Sequence, residues 1–377
     1  MQITPLDPAN PRHARDFLEL PFRLYRGISQ WVPPLRLEAG QILDRRRYPF
    51  YQHSEAAFFL ALDASGQAVG RIAVADNRRY NEHNHAQTAF FWLFECADDP
   101  EAAAGLFEAA ANWAAGRCLK QLHGPKGFTV LDGMGLLVKG FEHRPAFGIP
   151  YNPPYYANLI EANGLGPSAD IVSGYLPGNA SFPEKIHRAS ELIQKRRGLR
   201  IERYRTRRDL RALVPQLKAL YNDAIRGTPS TYPITDAEAN TLANQLLWFA
   251  DPRLIKIIWK GDQPVGFLFA YPDISAALQR TGGRLFPLGW LTLLREMRRT
   301  PWVNINGAGV VEEIRGQGGT AILFSEMQKS LAEFHFQHAE IVQIGADNAN
   351  MLRELRDLGI DFYKTHRIYT QSLTPIP

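Results

Sequence analysis

The feature that most constrains how this chain can fold is an internal echo. Residues 56–76 read as strand, turn, strand: Phe58–Leu62, a polar turn over 63–67, then Ala68–Val74. Residues 254–273 read the same way, with Ile255–Trp259, a turn at Lys260–Gln263, then Pro264–Ala270. Short apolar runs bounded by turn residues are the pattern of a buried β-hairpin. The two share Gln67-x-Val69-Gly70 and Gln263-x-Val265-Gly266. A second pair of segments, 152–165 and 348–360, lies at the same offset, and each reads as an Asn, a short helix and a Gly that ends it. Self-similarity at one fixed offset marks a duplicated unit. A chain of 377 residues is long enough for two, each with its own core.

Helices are expected before each hairpin. In the first half these are Pro11–Tyr25, the Trp31-Val32-Pro33-Pro34 break, and Arg36–Asp44. In the second, Arg207–Ile225 carries Leu210, Leu213, Leu217 and Leu220 at helical spacing, and Asp236–Phe249 follows Thr235 as N-cap. A connecting helix over 183–197 has a basic end, Lys195-Arg196-Arg197, read as solvated charge. The boundaries predicted are a first domain over 1–178, a linker helix over 179–199 and a second domain over 200–377.

Composition narrows the class. A hydrophobic fraction of 45% and a charged fraction of 21% are those of a globular protein. No apolar run approaches the length of a membrane span and no leader follows Met1, so a cytoplasmic location is expected. Cys96 and Cys118 have neither disulfide-framework nor zinc spacing, and no histidine has metal spacing, so no metal is expected. The net charge of +5 suits an anionic ligand, and nucleic acid is not expected.

The chemistry is placed at Val310–Ala321. A strand-like run through Trp302, Val303 and Ile305 leads into Glu312-Glu313-Ile314 and the turn Arg315-Gly316-Gln317-Gly318-Gly319-Thr320, and Leu323, Met327, Leu331 and Phe334 then recur at helical spacing. Glycines let a ligand approach the backbone, and the free N–H groups of a helix start, with the helix dipole, favour a phosphate. The Arg315, Gly318, Thr320 spacing resembles the pyrophosphate loop of the GNAT superfamily of N-acetyltransferases. Trp31–Pro34, Leu285–Trp290 and Lys364-x-x-Arg367-Ile368-Tyr369 are similar to stretches of a family of bacterial tandem GNAT proteins.

That resemblance implies an α/β fold: two GNAT-like mixed α/β domains in tandem, each a central twisted, mostly antiparallel sheet flanked by helices, with one acyl-CoA site. It implies that Val310 and Val311 border the pantetheine arm of acetyl-CoA, that Arg315, Gly316, Gln317, Gly318, Gly319 and Thr320 surround its pyrophosphate, and that Asn348 touches it. In the first half, Glu95, Asp98, Asp99 and Glu101 stand at the corresponding turn, where they would repel a pyrophosphate, so that site is expected to be lost. Residues 129–150, rich in glycine, are expected to shape or cover the acceptor pocket or to serve architecture.

The resemblance also fails in places. Leu355 stands where many relatives have a tyrosine that protonates the leaving thiolate, so Tyr363 and Tyr369 are the substitutes. A base must take a proton from the attacking amine, and Glu312 and Glu313 are the candidates, with Asp273 behind them. His335, His338 and His366 are read as surface or packing residues. An insertion over 274–300 has an apolar face flanked by Arg284, Arg295, Arg298 and Arg299, and reads as interdomain packing, a lid or a membrane-touching surface. The implied activity is acyl transfer, most simply acetyl transfer to a small-molecule or peptide amine by direct attack. The alternatives are an aminoacyl- or long-acyl-transferring relative and a non-catalytic acyl-CoA-binding scaffold.

Overall fold

The computed structural model describes residues 1–129, 132–180, 182–226 and 231–374. The first half supplies strands β1 (Gln2–Pro5), β2 (Glu55–Leu62), β3 (Ala68–Asp76), β4 (Thr88–Cys96), β5 (Gln121–Gly124), β6 (Leu136–Lys139) and β7 (Gly166–Pro177). The second supplies β8 (Leu199–Glu202), β9 (Lys256–Lys260), β10 (Gln263–Pro272), β11 (Trp302–Val310), β12 (His338–Gly345) and β13 (Asp361–Ser372). The helices of the first half are α1 (Pro11–Leu24), α2 (Arg36–Ala39), α3 (Arg78–Asn84), α4 (Pro100–Ala115) and α5 (Tyr156–Ala162), followed by the connecting α6 (Glu184–Arg197). Those of the second are α7 (Arg207–Ala212), α8 (Val214–Ala224), α9 (Asp236–Phe249), α10 (Ser275–Thr281), α11 (Gly289–Arg299), α12 (Gly319–Glu333) and α13 (Ala349–Asp357).

Both echoed hairpins form. Phe59 faces Ile72 across β2 and β3, and Phe267 faces Ile257 across β10 and β9. The one helix expected over 207–225 is two, because Pro215 has no backbone N–H and its ring would clash with the Arg211 carbonyl in a continuous helix, so α7 stops at Ala212 and α8 starts at Val214 with Pro215 in its first turn. Thr235 caps α9 in a reciprocal capping box with Glu238.

All strands join one 13-stranded sheet in the order β1-β2-β3-β4-β5-β13-β7-β12-β11-β10-β9-β8, with β6 also paired to β13. The last strands of the two halves are therefore exchanged. β13 lies between β5 and β7 of the first half, with Thr370 opposite His123 and Thr365 opposite Val172, while β7 pairs with β12, Gly174 opposite Ile341. Helices cover both faces. In the first half α4 and α5 bury Leu106, Phe107 and Ile160 against Phe91 and Leu122, and α1 buries Phe17 against Phe58 on the other face. In the second, α12 and α13 bury Ile322, Met327 and Leu355 against Ile305 and Ile341, while α8 covers Phe267.

Candidate active site

The glycine turn before α12 is shaped by its own backbone. Gly316 and Gly318 have φ of +66° and +87°, a region that glycine enters without strain, and Gly318 is the N-cap residue with no side-chain cap. A Cβ on Gly318 would stand 2.3 Å from Ile193 Cδ1, because α6 packs along α12; His187 and Ser325 hydrogen-bond between the two at 2.8 Å. Gln317 N–H is committed to Ile314 O, but those of Gly316, Gly318, Gly319 and Thr320 have no acceptor among the described residues. Arg197, at the end of α6, donates to Gln317 Oε1 and brings a second basic group to the turn. A helix start with free amides beside an exposed guanidinium is a site for a phosphate.

β11 enters this turn alone. It pairs in parallel with β12 only from Trp302 to Ile305, so that from Asn306 to Val310 its β12-facing edge has no strand partner among the described residues. A polar cavity of about 560 Å³ lies on the face of β11 away from α12. Asn304 and His338 line it, with Asp273, Glu340 and Tyr363. Asn304 and Asn306 are alternate residues, so they share a face and sit about 7 Å apart along the strand, joining the cavity to the open edge.

The floor of that cavity is a buried charge network. Lys364 Nζ lies 2.6 Å from Glu340 Oε1, with both side chains 1–2% exposed, and Lys364 also donates to Arg144 O at 3.0 Å. Burial raises the Glu340 carboxyl and lowers the Lys364 ammonium, each against the pull of the other. Tyr363 lines the cavity beside Glu340, and burial together with that carboxylate holds its phenol far above the usual range. Arg144 pairs with Asp273 at 3.0 Å, and Asp273 accepts from Asn304 Nδ2 at 2.9 Å and from Ser275 Oγ at 2.7 Å. Thus residues 142–146 of the first half wall the cavity of the second.

Among the described residues the first half offers no equivalent. Asp99 caps α4, its carboxylate accepting from Ala102 N–H at 3.1 Å, so this helix start already holds an anion. Past Phe90, where β4 leaves β5, the gap is lined by Trp31, Val32, Pro33, Pro34, Trp92 and Phe94. Glu95, expected to stand at the turn, instead points inward. It accepts from Tyr25 and Tyr156 at 2.7 and 2.9 Å and lies 3.7 Å from Arg71, because alternation along β4 turns it to the face opposite Phe94.

A chain of two echoed α/β units, with β11 parting from β12 before a glycine helix start, can be compared with solved structures. It matches the tandem GNAT protein of the clavulanic acid biosynthesis pathway at TM-score 0.57 and 13% identity, over 100% of this chain and 99% of that one. It matches a GCN5-related N-acetyltransferase from Sphaerobacter thermophilus at TM-score 0.52 and 14% identity, over 99% and 96%. The chain has the tandem GNAT fold. No protein-family model matches it. Among curated proteins it is similar to Protein YghO of Escherichia coli, 25% identical over 97% of this chain and 94% of that one, and to a bacterial ceramide synthase of Caulobacter vibrioides, 26% identical over 96% of each. No helix among the described residues is long and apolar enough to cross a membrane.

Within the tandem GNAT fold the residues singled out from the sequence fall in different places. Gly316, Gly318, Gly319 and Thr320 form the turn, and Val310 and Val311 lead into it, with Val311 N–H bound to Val265 O. Arg315 faces away and donates to the carbonyls of Ala224 and Arg226, stapling the end of α8. Glu312 and Glu313 are exposed on a 3₁₀ turn. Asn348 caps α13, accepting from Met351 N–H at 3.2 Å. Tyr363 lines the cavity, whereas Tyr369 is buried in the core of the first half. Sequence reading missed Arg197, Asn304, His338, Glu340 and Lys364. The alternation His338-Ala339-Glu340-Ile341 was the available signal, since it sets two polar groups on one face of a central strand.

Proposed function

We propose that this chain transfers an acyl group from an acyl-CoA to a primary amine, with the turn before α12 holding the pyrophosphate and the polar cavity receiving the amine. The observation that carries this reading is the run of β11 past β12 into an uncapped glycine helix start, a feature the first half lacks. The residues fit the cosubstrate: the amides of Gly316, Gly318, Gly319 and Thr320 and the Arg197 guanidinium for the phosphates, and the unpaired edge of Asn306–Val310 for the pantetheine amides. When bound, acyl-CoA would supply an acyl carbon activated as a thioester.

The chain's own groups then handle the amine. Asn304 and Asp273 orient it by hydrogen bonds and charge, and residues 142–146 limit water in the cavity. Glu340, raised by burial, takes the ammonium proton through the Tyr363 phenol, leaving an amine that can attack. An N–C bond forms and the C–S bond breaks, and the proton that the nitrogen sheds as the amide forms passes to the departing sulfur, so that CoA leaves as the free thiol. Backbone N–H groups on the open edge of β11 meet the charge that develops on the acyl oxygen. Acetyl-CoA is the simplest donor and a small or peptide amine the simplest acceptor.

A second reading, a long acyl group or a lipid-like amine, is favoured by the near-full-length similarity to the protein named a bacterial ceramide synthase. The test is thiol release from acetyl-CoA and palmitoyl-CoA with small, peptide and long-chain amines. Release with one donor and amine pair is expected, lowered about 10²-fold or more in kcat by Tyr363→Phe with CoA affinity unchanged. A folded protein that binds CoA and releases no thiol with any pair would instead be a scaffold.

A further inference from the structure

The segment between β10 and β11 is anchored by one face and open on the other. Its inner face buries Ile274, Ala277, Leu278 and Leu293 against Leu35. Its outer face would ordinarily be charged. Instead, Phe286, Leu288, Trp290, Leu291 and Leu294 are 77, 65, 44, 46 and 36% exposed, five large apolar side chains within nine positions. Leu37, 67% exposed, adjoins them, because Arg36 N–H bonds to Gly283 O at 3.0 Å. Scattered exposed leucines are ordinary, but one contiguous patch marks an interaction surface.

The charge around the patch identifies its partner. Arg284, Arg295, Arg298 and Arg299 are all exposed, and none has an ion-pair partner among the described residues. The nearby acid of α11, Glu296, is already neutralised by Arg280. Along α11, Trp290, Leu294 and Arg298 follow at i, i+4 spacing, so apolar and basic groups share one outward face. Apolar side chains backed by unpaired arginines match acyl chains beneath a layer of phosphates.

We propose that residues 284–299, with Leu37, form a docking face for an anionic phospholipid bilayer, on which α11 lies in the interfacial plane. Phe286, Leu288, Trp290, Leu291 and Leu294 enter the acyl boundary, and the arginines engage lipid phosphates. The segment that carries the face follows directly on Asp273, a buried residue lining the polar cavity. The inference does not depend on acyl transfer.

The test is co-sedimentation of the full chain with vesicles of phosphatidylglycerol and phosphatidylcholine, and of phosphatidylcholine alone. Binding to the anionic vesicles is expected to exceed binding to the neutral ones by at least tenfold and to weaken with salt, since each arginine near an anionic surface contributes about fivefold. Leu291→Glu with Leu294→Glu should abolish it. Both sites are on the surface, and thermal melting checks that the variant is folded. Arg298→Gln with Arg299→Gln should lower it by roughly 10-fold to 30-fold. No sedimentation of the folded wild type at low salt would overturn the proposal, as would a folded Leu291→Glu/Leu294→Glu variant that binds as the wild type does. A wild-type dimer in solution that this variant dissociates would also overturn it, by assigning the face to a second copy.

Discussion

Lys364→Met removes a cation from the most deeply buried ion pair at the seam between the halves. Nζ lies 2.6 Å from Glu340 Oε1, and both side chains are 1–2% exposed. The variant leaves a nearly fully buried carboxylate without its partner, which costs about 3–5 kcal/mol. The bond to Arg144 O is also lost, worth about 1 kcal/mol more. For 377 residues the unfolding entropy is roughly 0.8 kcal/mol/K, so the melting midpoint should fall by about 5–8 °C. Glu340→Gln/Lys364→Met, which removes both charges, should recover at least about 2 kcal/mol of that loss.

The pH dependence gives a second check on the same pair. Without Lys364 the Glu340 carboxyl is raised further by burial, and a raised carboxyl stabilises the fold in its protonated form, an advantage lost as pH rises. The deficit of Lys364→Met should therefore shrink as pH falls from about 8 towards about 5. Urea unfolding of the four proteins of the cycle measures both effects. A Lys364→Met cost below about 1 kcal/mol, or a double variant whose loss equals the sum of the singles, would refute the reasoning.

Two further outcomes follow from the geometry. His366 is fully buried and donates Nε2–H to Pro150 O at 3.0 Å, and burial lowers its pKa to about 4. Its depressed folded pKa gives stability that is complete above the unfolded value near 6.5 and is lost as pH falls towards about 4, by up to roughly 3 kcal/mol; in His366→Gln that slope should flatten in urea unfolding. Gly318→Ala places a side chain at φ +87° and against Ile193, so it should cost about 1–2 kcal/mol for the backbone alone, with Ile193→Ala restoring only the part due to the clash, as read from denaturant midpoints.

The elements were legible where local pattern decides them. Alternating and continuous apolar runs gave both hairpins, and the Thr235 capping box gave the start of α9. The turn before α12 was also legible, because two left-handed positions within three residues favour glycine. The strand exchange was not. The echo says that two units exist, but which sheet edge β7 and β13 each close depends on contacts far apart in sequence. The same holds for Glu340 and Lys364, which sit on strands separated by β7 and become partners only through its register. Arg315 was misleading for a related reason: its position beside the turn is fixed locally, but its direction is set by the carbonyls of Ala224 and Arg226 at the end of α8. Arg197 shows the converse, a run that looks like solvated charge until α6 packs on α12.

The central claim is that the turn before α12 binds the phosphates of CoA, and Gly316 allows it to be tested with little disturbance. Its φ of +66° is one that Asn and Asp adopt, and a Cβ there meets nothing within 4 Å. Gly316→Asn and Gly316→Asp are nearly the same shape and differ by one negative charge beside the turn. Calorimetric titration of CoA into the wild type and both variants should show binding by the wild type and by Gly316→Asn, with a loss of about tenfold or more in Gly316→Asp. Equal affinity of the two variants, or no binding by the folded wild type, would contradict the account.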